Sequence, residues 1–201
     1  MLPAFYKKFH GLIWGMLFTV FTAVPATAQE FYLDIGNDSA QINYSPRSAY
    51  ETSLPWGVSL FWNNDNDKLA KAYIATPLEG NGFTAWLFSA SLGLFYLDLN
   101  QADAATTGIL AGFHAGYRFL TSTPLSIIFT AEVSPDLLNT GDDITTMNQF
   151  TGRLQADLSP YVHAHLGYRF YSVTFDDEVR FKNKDSLDFE EGVFLGFTLT
   201  F

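Results

Sequence analysis

The chain has 201 residues, of which 48% are hydrophobic, 17% aromatic and only 16% charged, with no cysteine and a formal net charge of -10. That length suits one domain, the aromatic load argues against disorder, and the acidity excludes unaided binding to nucleic acid, whose phosphates need a basic surface. The lack of cysteine removes disulfides and thiolate chemistry, and a mean hydropathy of +0.07 excludes a bundle of membrane-spanning helices. A β-barrel in an outer membrane passes all of these filters.

Residues 1–28 contain no acidic side chain. Lys7 and Lys8 precede an apolar run from Gly11 to Val24, and Ala26-Thr27-Ala28 follows. This order of charge, apolar run and small-x-small site predicts a secretory signal peptide over 1–28, with an uncleaved anchor as the alternative. Cleavage before Gln29 leaves a barrel domain over 29–201 and removes Lys7 and Lys8, which makes the mature chain still more acidic. No later window approaches the roughly 18 consecutive apolar residues of a spanning helix. The longest candidate, Trp86 to Leu99, is interrupted by Ser89, Ser91 and Gly93. A membrane-embedded mature chain must therefore cross as strands, closed into a barrel so that every backbone polar group is paired.

In chain order, Phe31–Ile35 and Ala40–Tyr44 flank Gly36-Asn-Asp-Ser39 and read as a hairpin. Strands are predicted at 54–62, 68–77 and within 84–98, joined by Asn63-Asn-Asp-Asn-Asp67 and Glu79-Gly-Asn-Gly82. Next, Ile109, Ala111, Phe113, Ala115, Tyr117 and Phe119 alternate with Leu110, Gly112, His114, Gly116 and Arg118. Leu125, Ile127, Phe129, Ala131 and Val133 alternate with Ser126, Ile128, Thr130, Glu132 and Ser134. Phe150, Gly152, Leu154, Ala156 and Leu158 alternate with Gln149, Thr151, Arg153, Gln155 and Asp157. Val162, Ala164, Leu166, Tyr168 and Phe170 alternate with His163, His165, Gly167, Arg169 and Tyr171. The fold class is all-β: a transmembrane, antiparallel, up-and-down barrel of ten strands, or eight if residues 30–45 contribute none. An even count puts both chain ends on one side. Strand-end aromatics such as Tyr96, Tyr117, Phe119, Tyr168 and Phe170 suit the girdles of such a barrel.

The last strand has an apolar face of Val193, Leu195, Phe197, Leu199 and Phe201. That face resembles the C-terminal signal read by the barrel-assembly machinery. Tight turns at 120–124 and 158–160, against long acidic loops at 135–145 and 174–187, place the C-terminus in the periplasm and the long loops outside.

The segment Thr130-Ala-Glu-Val-Ser-Pro-Asp-Leu-Leu138 and the strand Leu166-Gly-Tyr-Arg-Phe170 resemble the YfaZ family of putative outer-membrane proteins. Asp34-Ile-Gly-Asn-Asp38 and the strand from Gly112 to Arg118 fit it more loosely. The resemblance implies fold and location and carries no activity.

The inward candidates are His114, Arg118, Glu132, Arg153, Asp157, His163, His165 and Arg169. Arg153 is expected roughly level with His165, Glu132 and Arg169 in the outer half, and Arg118 and Asp157 near the periplasmic end. A bore this narrow fills with side chains, and charges inside it must pair. The expectation is therefore a plugged, structural or narrow-channel barrel without enzyme activity, cofactor or metal. Its partners would be outer-membrane lipids, lipopolysaccharide and the assembly machinery, with no nucleic acid, and the protein would be monomeric. A lipid-modifying hydrolase or acyltransferase is the first alternative, but no Ser-and-acid pair is predicted beside a histidine, and Ser172 falls on the lipid face. His163-Ala-His165 supplies only two metal ligands, and the acidic stretch of Asp136 and Gly141-Asp-Asp-Ile144 could attract divalent ions. A soluble periplasmic lipid-binding barrel is the second alternative, and it requires Phe113, Phe129 and Leu166 to point inward.

Overall fold

Alternation with a period of two makes the strands, and the computed structural model, which describes residues 29–46, 56–78, 85–119, 124–140, 144–176 and 185–201, contains ten of them. They are β1 (Glu30–Gly36), β2 (Ser39–Ser45), β3 (Trp56–Asn63), β4 (Lys68–Leu78), β5 (Trp86–Leu99), β6 (Ala104–Phe119), β7 (Leu125–Ser134), β8 (Ile144–Ser159), β9 (Val162–Phe175) and β10 (Ser186–Thr200). A short 3-10 turn, Asp136–Leu138, follows β7. Each strand pairs antiparallel with its neighbours in sequence, and β1 pairs with β10 to close the barrel. The predicted signal peptide, Leu54 and Pro55, Glu79–Gly82, the turn residues 120–123, Gly141–Asp143 and the centre of the last loop lie outside the described residues.

Ladder partners fix the geometry. From Thr106 on β6 they run through Leu97, Leu69, Phe61, Gln41, Asp34, Gly196, His165, Gln155 and Ser126, and return to β6 at Arg118. The wall is thus staggered by 118 − 106 = 12 residues over ten strands. With a rise of about 3.3 Å and a spacing of about 4.8 Å, that stagger tilts the strands by about 40° and gives a wall radius of about 10 Å.

The outward face is apolar all the way round. Phe31, Leu33 and Ile35 lead from β1 to Leu60, Ile74, Leu92, Leu94, Phe113, Phe129, Leu154, Leu166 and the alternating face of β10. Phe113, Phe129 and Leu166 are 46%, 45% and 53% exposed, so the lipid-carrying soluble barrel, which needs them inside, does not describe this chain. Trp86 to Tyr96 on β5 and Val193 to Phe201 on β10 delimit a belt about 20–25 Å tall at that tilt. Trp62, Tyr96 and Tyr168 stand at its rim on the side away from the termini. Trp86 and Tyr117 stand at the other rim, with ring centroids 4.8 Å apart.

Above the belt, at the end away from the termini, the strands keep their facing but the two faces exchange polarity. Outward positions there become Asp98, Thr107, Asn148, Ser172 and Glu191, while Leu97, Leu99, Ile144, Met147, Val173 and Phe175 point inward and are buried. This exchange corrects the predicted loops at 135–145 and 174–187: β8 already begins at Ile144, β9 runs to Phe175 and β10 starts at Ser186. These strand ends leave the belt and acquire an ordinary water-facing exterior, so their polar outer residues looked like loop. The connections 135–143 and 176–185 are long at this end, but 37–38, 64–67 and 100–103 are short, and the longer N-terminal connections 46–55 and 79–85 lie on the terminal side. The loop-length contrast therefore holds for the C-terminal half of the barrel alone. The two tight turns that end in short hairpins use left-handed backbone at Asn66 (φ 64°) and Asp103 (φ 51°), residue types that tolerate it.

Candidate functional site: the lumen

Three layers fill the bore. The one farthest from the termini is apolar. Phe61, Leu69, Phe95, Leu97, Leu99, Leu110, Ile144, Met147, Tyr171, Val173, Phe175 and Phe189 form one buried cluster. Phe61 lies edge-on to Tyr171 and Phe189, at 5.3 and 6.1 Å. Phe189 enters this layer from a bulge in β10 between Asp188 and Glu190. The Nδ2 of Asn63 donates to the Phe189 carbonyl at 2.9 Å and to Asp67 Oδ2 at 3.0 Å, which ties the β3–β4 turn across to β10.

Beneath the apolar layer lies a layer of paired charge. Lys71 Nζ donates to Glu132 Oε2 at 2.5 Å and to Gln149 Oε1 at 2.8 Å. Arg169, 1% exposed, donates through Nη1 to Gln41 Oε1 at 2.7 Å. It also approaches Asp34 and Glu190 at 3.7 Å each and lies over the Phe194 ring at 4.2 Å. His165 Nε2 sits 2.6 Å from Asp34 Oδ1. Buried charges persist in a low-dielectric interior only with such partners.

The third layer is a polar vestibule of about 150 Å³, lined by Glu30, Tyr32, Asn43, Ser45, Lys71, Tyr73, His114, Thr130, Glu132 and Arg153 among others. Arg153 lies over the Tyr32 ring at 4.9 Å, and the Tyr32 hydroxyl donates to Glu30. Tyr73 lies flat on the wall because Gly57 opposite has no Cβ; one built there would meet the ring at 2.5 Å. His114 is held between Ser91 Oγ (2.9 Å) and Thr130 Oγ1 (3.0 Å).

At the terminal mouth, Arg118 Nη2 donates to Asp157 Oδ2 at 2.9 Å. Asp157 Oδ1 lies 2.7 Å from His163 Nδ1, and His163 Nε2 lies 3.3 Å from Thr200 Oγ1. Their order is hydroxyl, imidazole, carboxylate.

All eight sequence-predicted lumen residues face inward. Arg118, Asp157 and His163 come together, as do His165 and Arg169 through Asp34. Glu132 and Arg169 stay apart and take partners from the N-terminal half. Arg153 pairs with Gly167, and His165 with Gln155, because the turn is centred on Pro160 and Tyr161 with a bulge between Asp157 and Ser159. The expected Arg153–His165 level is therefore two residues out, an even slip that preserves the facing. His163 and His165 engage different carboxylates rather than one shared point. Ser172 points outward, as its phase predicts, but lies above the apolar belt rather than on the lipid face expected of it.

Sequence reasoning missed Asp34, Gln41, Lys71, Glu190 and Thr200. Lys71 was detectable, since Leu69, Lys71 and Tyr73 alternate with Ala70, Ala72 and Ile74. Likewise, Asp34 stands between Leu33 and Ile35 in perfect alternation.

No family model matches the chain, and no curated protein matches it. Among solved structures, one described as a bacterial polysaccharide outer membrane secretin aligns with 13% identity and a TM-score of 0.44, covering 87% of this chain and 68% of that one.

Proposed function

We propose that this protein is a closed outer-membrane β-barrel of a Gram-negative envelope, a wall-type barrel whose bore is shut by its own strands. The observation that carries this reading is the exchange of polarity between the two faces along single strands. Within a belt about 20–25 Å tall, close to the ~25 Å apolar band of outer-membrane barrels, rings and aliphatic side chains point out while paired charges point in. Above it the arrangement is that of a water-soluble protein. The termini face the periplasm, where a chain exported on its signal peptide meets the assembly machinery. The projecting strand ends stand outside, among lipopolysaccharide head groups. The closed bore is supported by Phe61, Leu69, Leu97 and Tyr171, each at most 2% exposed, stacked on the Lys71–Glu132 and Arg169–Asp34 layer. Ten strands complete a wall without partners, which supports a monomer.

The test is migration of the mature chain from isolated outer membranes on SDS gels, unheated against boiled, followed by planar-bilayer recording of the folded species. A faster unheated band without stable conductance steps is the expected result. Recovery in the soluble periplasmic fraction refutes the membrane reading, and stable steps refute the closed bore.

A further inference from the structure

From the mouth geometry we infer that Thr200, His163 and Asp157 form an acyl-transfer relay that hydrolyses small carboxylic esters reaching the terminal mouth of the bore. Of the three described lumen histidines, only His163 has both partners such chemistry needs. His114 lies between two hydroxyls without a carboxylate, and His165 is fully enclosed against Asp34. His163 and Asp157 keep 17% and 16% of their side chains exposed, so a solute can reach them.

The carboxylate holds the ring in the productive tautomer. With Nδ1–H donated to Asp157 Oδ1 at 2.7 Å, the Nε2 lone pair faces the Thr200 hydroxyl, and the 3.3 Å separation is of the length found before substrate draws such bonds tight. Arg118, which donates to the second Asp157 oxygen, is a positioning residue that keeps the carboxylate aligned. Thr200 is fixed from both sides: its own N–H donates to the Tyr161 carbonyl at 2.9 Å, and Phe201 N–H donates to Gln29 O at 3.1 Å.

In the first step Thr200 Oγ1 bonds to the ester carbonyl carbon while its proton passes to His163 Nε2. The C–O bond to the alcohol then breaks, and the leaving alkoxide takes that proton from Nε2. In the second step water adds to the acyl-Thr200 ester, gives its proton to Nε2, and releases the carboxylic acid as Thr200 recovers its hydrogen. Ester plus water becomes acid plus alcohol.

The experiment uses the full mature barrel folded in detergent, each variant first checked for heat-modifiable migration. p-Nitrophenyl acetate turnover is measured, with mass spectrometry after labelling by a fluorophosphonate. Turnover falls at least tenfold in His163→Gln and Thr200→Val, is retained in Thr200→Ser and in the outer-face control Ser172→Ala, and the label maps to Thr200. Equal turnover in wild type, His163→Gln and Thr200→Val overturns the relay, as does a label found anywhere but Thr200. Folding and membrane insertion are read separately by the gel shift, so either result leaves the barrel reading to its own test.

Discussion

Replacing Leu92 by Arg probes the belt most directly. Leu92 is an outward residue of β5, 53% exposed, between Trp86 at one rim and Tyr96 at the other. At a tilt of about 40°, it stands about 10 Å from the upper rim and about 15 Å from the lower, near mid-belt. An Arg on the lipid face of a barrel costs roughly 2–4 kcal/mol at the midplane, which is roughly a 30- to 800-fold loss in the folding equilibrium. Asn148→Arg is the comparison, because Asn148 is outward on β8 but beyond the belt. There the change stays within about 0.5 kcal/mol, as for ordinary surface substitutions. Tryptophan fluorescence during denaturant titration of the chain folded in phospholipid vesicles measures both. If Leu92→Arg and Asn148→Arg differ by less than about 0.5 kcal/mol, the outward apolar face is not in hydrocarbon and the reasoning fails.

Two further outcomes are expected. Lys71→Met alone leaves Glu132 buried without its cation and destabilises the barrel by about 3–5 kcal/mol, whereas Lys71→Met with Glu132→Leu recovers most of that loss; a double variant as unstable as the sum of the singles contradicts the pairing. Gly196→Ala drives a Cβ into His165, Asp34 and the Leu33 carbonyl, the last at 2.6 Å, while Gly192 has nothing within 4 Å. Denaturant midpoints should show a loss of about 1–3 kcal/mol for Gly196→Ala and none for Gly192→Ala, and equal midpoints would falsify the close packing at the β1–β10 seam.

The wall was legible because an apolar outside and a polar inside impose the same alternation on every strand. Val162 to Phe170 and Leu125 to Val133 announce their facing without any tertiary knowledge. The eight lumen candidates follow from phase alone. Partnership is different: Lys71 meets Glu132, 61 residues away, and Asp34 meets His165, 131 residues away. Such contacts depend on the stagger of the closed barrel, which no local window contains. Strand ends beyond the belt were hidden for another reason. At Val173 and Phe175 the inward positions turn apolar, so the alternation continues with its meaning exchanged, and a reading tuned to lipid takes the polar outer residues for a loop. Thr200 was overlooked because its alternation with Leu199 and Phe201 marked it only as a small inward residue.

Every strand pair but one joins neighbours along the chain, and the exception joins its two ends: β1 pairs all 7 of its residues with β10. A ring assembled from hairpins can add strands one after another, each closing a brief loop, but its final joint must bring together segments from opposite ends of the sequence. Main-chain pairing at that joint runs over the whole of β1, and side chains that reach across it add to the fastening. Ser39 Oγ donates to Glu190, Asp34 holds His165, and Gln41 accepts from Arg169 and Tyr171. The clasp is built of charge as well as ladder, and its side chains can engage only after the last two strands are in place. Opening the cylinder along this line must part the ladder and these polar contacts together.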